Sequence, residues 1–335
     1  MEKDLEKIRA QRNRTLTVNE NERLLYSKKL LNSELIGVNR DNDFLMNKTI
    51  CDDLFNVIDK LPKGIADLII IDPPYNLDKN FHGLRFKLST KEIYLDYLRS
   101  WFPKIVSLLK NNGSLYLCGD WKCTSALQQV MDENIIVLNR ITWQREKGRG
   151  ASHNWKNCME DIWFGVKNEK DYYFDVESVK MKRKVIAPYR ENGKPKDWEK
   201  TKEGNFRFTY PSNFWDDITI PYWSMPENTD HPTQKPEKLI AKLILASCPI
   251  GGLVLDPFLG SGTTSVVAKK LERNYIGIEI NKEYAIWAEK RIELANIDKT
   301  IQGYVDGLFW ERNSLNMLND SKKKSTQINE QLMLF

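Results

Sequence analysis

Short apolar runs that alternate with longer amphipathic stretches are the feature that most constrains the fold of this 335-residue chain. The runs typical of strands are NKTIC (47–51), ADLIIID (66–72), SLYLCGD (114–120) and IIVLNRITWQ (135–144). Helical patterns separate them, at 53–60, 90–110 and 122–133. Strands that alternate with helices predict an α/β fold whose sheet is mainly parallel and covered by helices on both faces.

The same alternation divides the chain into segments. It fades after residue 144, where basic, aromatic and turn-forming residues interleave, and it resumes near residue 231 with a helix that has Pro236 in its first turn. The expected segments are a helical arm at 1–46, the two halves of one α/β domain at 47–144 and 231–300, an insert at 145–230 and a polar tail at 301–335.

Composition excludes several classes of protein. A hydrophobic content of 41% with ten Trp residues is enough for a packed core, so the chain is not disordered. The five cysteines form no CxxC pair, and no signal peptide is recognisable, so we expect reduced thiols in a cytoplasmic protein. Three scattered histidines predict no metal site. No apolar run approaches about 18 residues, so no membrane span is predicted.

The stretch IIIDPPYNL, residues 69–77, places unusual chemistry at the end of a strand. Three isoleucines indicate a buried strand, but proline lacks the backbone N–H that a sheet requires, so the chain leaves the sheet at Asp72. A carboxylate and the aromatic ring of Tyr75 therefore follow the strand directly.

The stretch LVLDPFLGSGTT is typical of a nucleoside site. Gly260 and Gly262 follow an apolar strand and precede a helix, so the backbone can approach a ligand closely. Glu279 ends the next strand, where an acid accepts hydrogen bonds from ribose. A third glycine is absent because residue 265 is Ser, and Thr263 stands where a P-loop needs Lys. These features predict a ligand with a ribose and no phosphates, and S-adenosylmethionine fits.

The two motifs together suggest methylation of an exocyclic amine. The lone pair of such an amine is delocalised into its base, so hydrogen-bond acceptors are needed to aim it at the methyl donor. Asp72 supplies one acceptor, and the carbonyl of Pro73, held by Pro74, supplies another. Tyr75 is placed to stack on a base rotated out of its duplex.

These motifs resemble those of DNA amino-methyltransferases, in particular the β-class adenine-N6 enzymes of restriction–modification systems. In that group DPPY precedes the glycine motif and a target-recognition segment lies between them, as in residues 47–300 here. The resemblance implies a Rossmann-like, S-adenosylmethionine-dependent methyltransferase with a doubly wound sheet and a circularly permuted motif order. Residues 47–144 would be its catalytic half and 231–300 its cofactor-binding half.

The resemblance also implies a set of cofactor contacts. Asp256 would lie near the amino-acid end of the cofactor, Glu279 at its ribose, and Lys235 of HPTQKP near its carboxylate. Asp52 occupies the place of an acid that reaches the cofactor adenine, and Asp53 fits that place equally well. The full set of expected contacts is Asp52, Asp72, Lys235, Asp256, Phe258, Gly260, Ser261, Gly262, Thr263 and Glu279.

The insert is expected to face double-stranded DNA. Between Lys180 and Arg207 it has ten Lys or Arg residues against four Asp or Glu. The candidate phosphate contacts are Arg145, Lys147, Arg149, Lys156, Lys180, Lys182, Arg183 and Lys184, and those for base edges are Asn154 and Asn157. The loop at 76–90 is expected to close over the flipped base.

Other functions stay open at this point. Cytosine-N4 methylation uses the same chemistry, although similar cytosine enzymes more often have Ser in place of Asp72. An RNA substrate, a non-catalytic DNA-binding subunit and a small-molecule Rossmann enzyme are further alternatives, and the last does not explain the basic insert. A separate cognate restriction endonuclease and a second copy of the chain stay open as partners.

Overall fold

The computed structural model describes residues 10–38, 42–76, 79–81, 84–86, 89–145, 152–185, 189–201 and 204–312. The α-helices are α1 (Glu20–Ser27), α2 (Ser33–Val38), α3 (Asn42–Leu45), α4 (Leu54–Val57), α5 (Lys91–Leu108), α6 (Thr124–Asp132), α7 (Glu237–Ser247), α8 (Thr263–Lys270) and α9 (Lys282–Leu294). Short 3-10 helices lie at Ile58–Lys60 and Glu177–Val179.

The strands are β1 (Lys48–Cys51), β2 (Ala66–Ile71), β3 (Lys79–Phe81), β4 (Leu84–Phe86), β5 (Leu109–Asp120), β6 (Ile136–Gln144), β7 (Met159–Val166), β8 (Met181–Lys184), β9 (Arg190–Glu191), β10 (Lys194–Pro195), β11 (Glu199–Thr201), β12 (Gly204–Thr209), β13 (Phe214–Trp215), β14 (Leu253–Asp256), β15 (Asn274–Glu279), β16 (Tyr304–Val305) and β17 (Leu308–Trp310).

An eight-stranded sheet with the order β1-β15-β14-β2-β5-β7-β6-β13 forms the centre of the fold. Its neighbouring strands are parallel except for β7, which runs antiparallel to both β5 and β6. The predicted mainly parallel α/β fold is confirmed. Strands β14 and β2 are adjacent and parallel, with Leu255 paired to Ile69, so the carboxyl ends of these two strands meet at one edge of the sheet.

Apolar side chains cover both faces of this sheet. One buried cluster contains Trp101 and Phe102 of α5 together with residues of α6, and the other contains most of α7. Sheet strands such as β2 point alternate side chains into the two clusters: Ile69 and Ile71 lie in the first, and Leu68 and Ile70 in the second. Because both faces are buried, residues 68–71 of β2 form a continuous apolar run rather than an alternating one.

The boundaries expected for the insert and the tail differ from the architecture. Strand β7 lies within 145–230, yet it occupies a place in the central sheet between β5 and β6. A second sheet, with the order β11-β12-β8-β17-β16, joins strands of the insert to residues beyond 301. Met181 pairs with Phe309 in this sheet. A pairing between residues so distant in sequence leaves no local pattern from which it could be predicted.

The segment at 1–46 packs on the α/β domain through its described residues. Arg23 and Lys29 on or beside α1 form ion pairs with Glu283 and Glu293 of α9. Leu31 forms a parallel bridge with Ile50 of β1. Within the part of the chain that the structure describes, no helix combines the length and apolarity needed to cross a membrane.

Candidate active site

One cavity opens where β2, β14 and β15 end. It is lined by most of the side chains expected to serve catalysis and the cofactor, namely Asp72, Pro73, Pro74, Tyr75, Lys235, Asp256, Phe258, Gly260, Ser261, Thr263 and Glu279. Cys118, His231, Ile280, Asn281 and Tyr284 complete much of the wall. Parallel strands present their carboxyl ends at the same edge, which explains why residues far apart in sequence converge here.

Asp72 lies at the centre of a compact polar network. Its Oδ1 accepts a hydrogen bond from the Tyr75 hydroxyl over 2.6 Å, and its Oδ2 accepts one from Lys235 Nζ over 2.7 Å. Lys235 Nζ also donates to the Tyr75 oxygen over 3.0 Å. The DPPY backbone is anchored from the other side, because the Tyr94 hydroxyl donates to the carbonyl of Pro74 over 3.2 Å.

Glu160 is a member of this network that the sequence did not reveal. Its Oε2 lies 3.2 Å from Lys235 Nζ and accepts from the Tyr75 hydroxyl over 3.5 Å. Its Oε1 pairs with the guanidinium of Arg145. Because β7 is antiparallel to β5, its first residues lie at the edge where β5 ends, and Glu160 pairs there with Asp120. Glu160 could have been predicted as a site residue only if residues 159–166 had been recognised as a strand of the central sheet.

The charges of the network fix the protonation of two side chains. Burial alone would lower the pKa of Lys235, but the carboxylates of Asp72 and Glu160 outweigh it and raise the pKa above that of an ordinary lysine. Burial and the same two carboxylates raise the pKa of Tyr75 well above its usual value. Near neutral pH, Lys235 is therefore a cation and Tyr75 a neutral hydroxyl. Lys235 donates hydrogen bonds to Asp72 and Tyr75 and forms an ion pair with Glu160, so its ammonium is held by groups of the protein in this arrangement.

Glycine is required at two positions of the loop before α8, for a different structural reason at each. Both have left-handed backbones, with φ of 55° at Gly260 and 88° at Gly262. A Cβ on Gly262 would lie 2.5 Å from Cβ of Ala288, so this glycine permits contact between the loop and α9. Gly262 is not in the cavity wall. Gly260 is, and a Cβ there would lie 3.1 Å from Nε2 of His231.

Two buried carboxylates lie at the strand ends beside this loop. Glu279 accepts from the backbone N–H of Gly260 over 2.7 Å and from that of Asn281 over 2.8 Å. Burial raises the pKa of Glu279 to about 7 and that of Asp256 to about 7. The cavity therefore gains negative charge as the pH rises through neutrality, which suits a cationic ligand.

The remaining loop residues are held by neighbouring elements. The guanidinium of Arg291 donates to the Ser261 carbonyl over 2.8 Å and to Thr263 Oγ1 over 3.0 Å. Thr263 in turn donates to the carbonyl of Lys235 over 3.1 Å. The ring of Phe258 packs edge-on against Trp101, with 5.1 Å between the centroids. These contacts fix the shape of the cavity wall.

Asp52 and Asp53 do not line this cavity, in contrast to the expectation that one of them reaches the cofactor. Asp52 Oδ2 accepts from the N–H of Ser33 over 2.9 Å, and its Oδ1 accepts from Asn56 Nδ2 over 2.9 Å. Burial would raise the pKa of Asp52, but these hydrogen bonds outweigh it and lower the pKa to about 2. Asp53 caps α4 by accepting from the N–H of Phe55. Both carboxylates are satisfied by nearby donors, which a strand-end pattern does not reveal.

The candidate DNA-contacting residues near β7 differ in how many contacts they make within the protein. Arg145 pairs with Glu160, and Asn157 Nδ2 donates to Asp120 Oδ2 over 2.8 Å. Asn154 is exposed, with its Oδ1 accepting from the N–H of the next residue over 2.7 Å, and Lys156 is half-buried. Lys147 and Arg149 lie outside the described residues.

The basic residues at and beside β8 lie on the second sheet. Lys180 pairs with Glu177 over 2.5 Å, and Arg183 Nη1 lies 3.7 Å from Oε1 of Glu311. Lys182 Nζ stands 4.5 Å from the centroid of the Trp310 ring. Lys184 has an exposed side chain. The four cations therefore differ in how readily they can turn to a phosphate.

The loop expected to close over a flipped base is described only in part. Residues 77–78, 82–83 and 87–88 lie outside the described structure, so its closure stays a prediction. Its two ends are held together by Asn76, whose Nδ2 donates to the carbonyl of Ser89 over 2.8 Å and whose Oδ1 accepts from the N–H of Ser89 over 2.8 Å. Among the described residues, no group of three or more His, Cys, Asp or Glu side chains is arranged to hold a metal ion.

Comparisons with known proteins agree with this geometry. Residues 66–290 match the sequence model of a family described as DNA methylase. The Type II methyltransferase M.HpaI of Haemophilus parainfluenzae is 33% identical over 73% of this chain and 74% of its own. The DNA adenine methyltransferase YhdJ of Escherichia coli (strain K12) is 34% identical over 71% of this chain and 79% of its own. The solved structure of PvuII DNA methyltransferase (cytosine-N4-specific) superposes with a TM-score of 0.52 at 17% identity, covering 74% of this chain and 91% of its own, a likeness of fold alone.

Proposed function

This chain belongs to the DNA methylase family, and we propose that it transfers a methyl group from S-adenosylmethionine to the N6 amine of an adenine within a short DNA sequence. The observation that carries this proposal is the shared cavity, in which the DPPY strand end and the glycine loop face each other. A strand-end turn or a glycine loop alone occurs in many proteins of unrelated activity. Their convergence places an acceptor for an amine beside a site for a nucleoside.

The cavity fits S-adenosylmethionine on three grounds. Gly260 has no side chain to obstruct the adenosyl group. The two oxygens of Glu279 each accept one backbone N–H, and a carboxylate has lone pairs left for ribose hydroxyls. Asp256 and Glu279 add negative charge as their carboxyls ionise, which favours a ligand with a cationic sulfur and an ammonium group. When bound, this cofactor supplies an electrophilic methyl group attached to positively charged sulfur.

The side chains of the strand end then act on the target amine. Asp72 accepts one amine hydrogen and the Pro73 carbonyl the other, which directs the nitrogen lone pair into the cavity. This is catalysis by position and electrostatics, without a covalent bond to the enzyme. Asp72 is the basic member of the pair, so it is the acceptor for the proton that the methylated nitrogen releases. The Tyr75 ring supports the extrahelical base by stacking.

Adenine is favoured over cytosine as the target. YhdJ is named as an adenine methyltransferase and is 34% identical to this chain. The similarity to the cytosine-N4 enzyme is at 17% identity and concerns the fold. Asp72 at the head of the motif is consistent with adenine, because similar cytosine enzymes more often have Ser there.

The proposal extends to where the protein acts and with which partners. We place the chain in the bacterial cytoplasm, on double-stranded DNA, as the modification partner of a separate restriction endonuclease. The similarity to M.HpaI, a Type II methyltransferase, supports this setting. Each chain carries both motifs in its own cavity, so the enzyme can act as a monomer or as a homodimer. Sedimentation at several protein concentrations would decide between these two states.

The function is tested with purified protein and unmethylated bacterial genomic DNA. The DNA is incubated with methyl-labelled S-adenosylmethionine, digested to nucleosides and analysed by mass spectrometry. We expect the label in N6-methyl-2′-deoxyadenosine and none in N4-methyl-2′-deoxycytidine. Label in the cytosine product would overturn the assignment of the base. Label in RNA supplied in parallel, with none in DNA, would overturn the assignment of the nucleic acid.

A further inference from the structure

We propose that Glu160 is a positioning residue, which holds the Lys235 ammonium against Oδ2 of Asp72, so that Oδ1 is the oxygen that receives the target amine once the amine displaces the Tyr75 hydroxyl. This inference rests on the proposed function, because it concerns the orientation of the carboxylate that receives the amine. Glu160 belongs to neither sequence motif and lies on the antiparallel strand β7.

The geometry around Lys235 leaves its ammonium little freedom. Its Nζ donates to Asp72 Oδ2 over 2.7 Å and to the Tyr75 oxygen over 3.0 Å, and it forms an ion pair with Glu160 Oε2 at 3.2 Å. Glu160 is 2% exposed and Lys235 8% exposed, so water competes weakly for these contacts. Without Glu160, the ammonium would lose one of its two carboxylate partners and could pivot away from Asp72.

The charges show why a second carboxylate is needed. The network contains two acids, Asp72 and Glu160, and two cations, Lys235 and Arg145, in alternating order. Removing one charge from a buried balanced set leaves its partner uncompensated, which is costly. Arg145 pairs with the far oxygen of Glu160 and so fixes the carboxylate in its turn.

A second buried lysine in the same chain indicates what happens with less negative charge nearby. Lys242 is paired with Asp217, which it shares with Lys238. Burial, together with the charges of Lys238 and Arg183, lowers the pKa of Lys242 to about 8, although the Asp217 carboxylate raises it. With Asp72 alone beside it, Lys235 is expected to move in the same direction and to lose its proton in mildly alkaline solution.

The test replaces Glu160 by Gln, which keeps the size and one acceptor oxygen but removes the charge. We expect kcat to fall by about tenfold to a hundredfold, as for other misplaced catalytic groups, while KM for S-adenosylmethionine changes by less than about twofold, because uniform binding is unaffected. The pH profile supplies a readout that a merely structural role would not move. Wild-type kcat should stay level towards the ordinary lysine pKa of about 10.4, whereas the Glu160→Gln variant should lose activity at lower pH.

The groups that face Lys235 in this profile are Asp72, Tyr75, Glu160 and Cys118. Burial is the largest influence on the Cys118 thiol and raises its pKa well above the usual value, followed by the charge of Asp72. The same is true of the pKa of the Tyr75 hydroxyl. Lys235 is therefore the group whose titration Glu160→Gln brings into the mildly alkaline range.

The next residue on β7 provides a matched control. Asp161 is also buried, but its Oδ2 accepts from Thr124 Oγ1 over 2.8 Å, away from Lys235. Asp161→Asn should leave the pH profile of kcat unchanged. The conservative variant Glu160→Asp keeps the charge, so its profile should remain level even though its shorter side chain reduces kcat.

Two results would overturn the inference while leaving the function intact. One is a Glu160→Gln variant whose kcat equals that of the wild type and stays level as the pH rises into the alkaline range. The other is the same alkaline loss in Glu160→Asp as in Glu160→Gln, because the charge would then be irrelevant. An inactive wild-type protein on all DNA would instead reject the proposed function, and the inference with it. Thermal melting of each variant separates loss of activity from loss of folding.

Discussion

The Tyr75 hydroxyl donates a hydrogen bond to Oδ1 of Asp72 over 2.6 Å. Lys235 holds the other oxygen of the same carboxylate over 2.7 Å, so both oxygens are occupied. A target amine must therefore displace the Tyr75 hydroxyl before Asp72 can receive it. The ring that moves aside is the one proposed to stack on the base. Entry of the base and formation of the stacking contact are thus two parts of one movement.

Tyr75 variants separate the hydroxyl from the ring. Tyr75→Phe removes the hydrogen bond to Asp72 but keeps the stacking surface, so we expect kcat/KM for DNA to stay within about tenfold of wild type. Tyr75→Ala removes the stacking contact, which contributes about 1–3 kcal/mol per base, and should lower kcat/KM by roughly 5-fold to 150-fold relative to Tyr75→Phe. Steady-state methylation of DNA measures both. Equal losses in the two variants would contradict a role for the ring.

A side chain at Gly260 should prevent cofactor binding. Gly260→Val places bulk in the cavity and beside His231, at a backbone φ of 55°. We expect calorimetry to detect no binding of S-adenosylmethionine. Gly251→Val is the matched control, because Gly251 has a φ of 74° and a Cβ added there would meet nothing within 4 Å. If both variants bind the cofactor equally, the cavity is not the cofactor site.

The affinity for S-adenosylmethionine should rise with pH near neutrality. Burial raises the pKa of Glu279 to about 7, so this carboxyl is mostly protonated at pH 6 and ionises as the pH increases. Only the ionised form accepts from both ribose hydroxyls and attracts the sulfonium. We expect Kd to fall between pH 6 and about 7.5, a range below the α-amino pKa of about 7.7–8.0.

Two comparisons isolate the cause of that pH dependence. Glu279→Gln should flatten the profile, leaving the contribution of Asp256, whose pKa burial also raises to about 7. S-adenosylhomocysteine lacks the sulfonium charge and should show a weaker dependence than S-adenosylmethionine. Wild-type affinity that falls as the pH rises through this range would contradict the assignment of these carboxyls to the cofactor site.

DNA binding should distinguish the exposed cation of β8 from its paired neighbour. A lysine that contacts a phosphate contributes about 0.9 to the slope of log K against log salt concentration. Lys184→Ala should reduce the slope by about that amount, because its side chain is exposed. Lys180→Ala should have less effect, since Glu177 already pairs with Lys180 over 2.5 Å. An unchanged slope for Lys184→Ala would make this residue part of the ordinary solvated surface.

The sequence was sufficient to predict the placement of residues that lie at strand ends. Asp72, Asp256 and Glu279 each follow or end an apolar run, and the geometry of a parallel sheet brings such residues to one edge. Lys235 was expected in the same cavity, although its observed partners are carboxylates of the protein. For these residues a local pattern and one rule of topology were enough.

The sequence was insufficient where side chains depend on non-local pairing. Glu160 joins the site because β7 inserts antiparallel between β5 and β6, which no local periodicity indicates. Asp52 directly follows β1, but its carboxylate accepts hydrogen bonds from the backbone N–H of Ser33 and the amide of Asn56. Such competition between nearby hydrogen-bond donors is settled by three-dimensional placement and not by residue order.

The most direct test of the central claim compares wild type with Asp72→Ala in a bacterial host that lacks DNA methylation. The genome of each strain is sequenced by a method that detects modified bases, and expression and folding are confirmed. We predict N6-methyladenine in one short motif with the wild-type chain and none with Asp72→Ala, whose purified protein still binds S-adenosylmethionine. Unchanged adenine methylation in the Asp72→Ala strain, or N4-methylcytosine in the wild-type strain, would contradict the account.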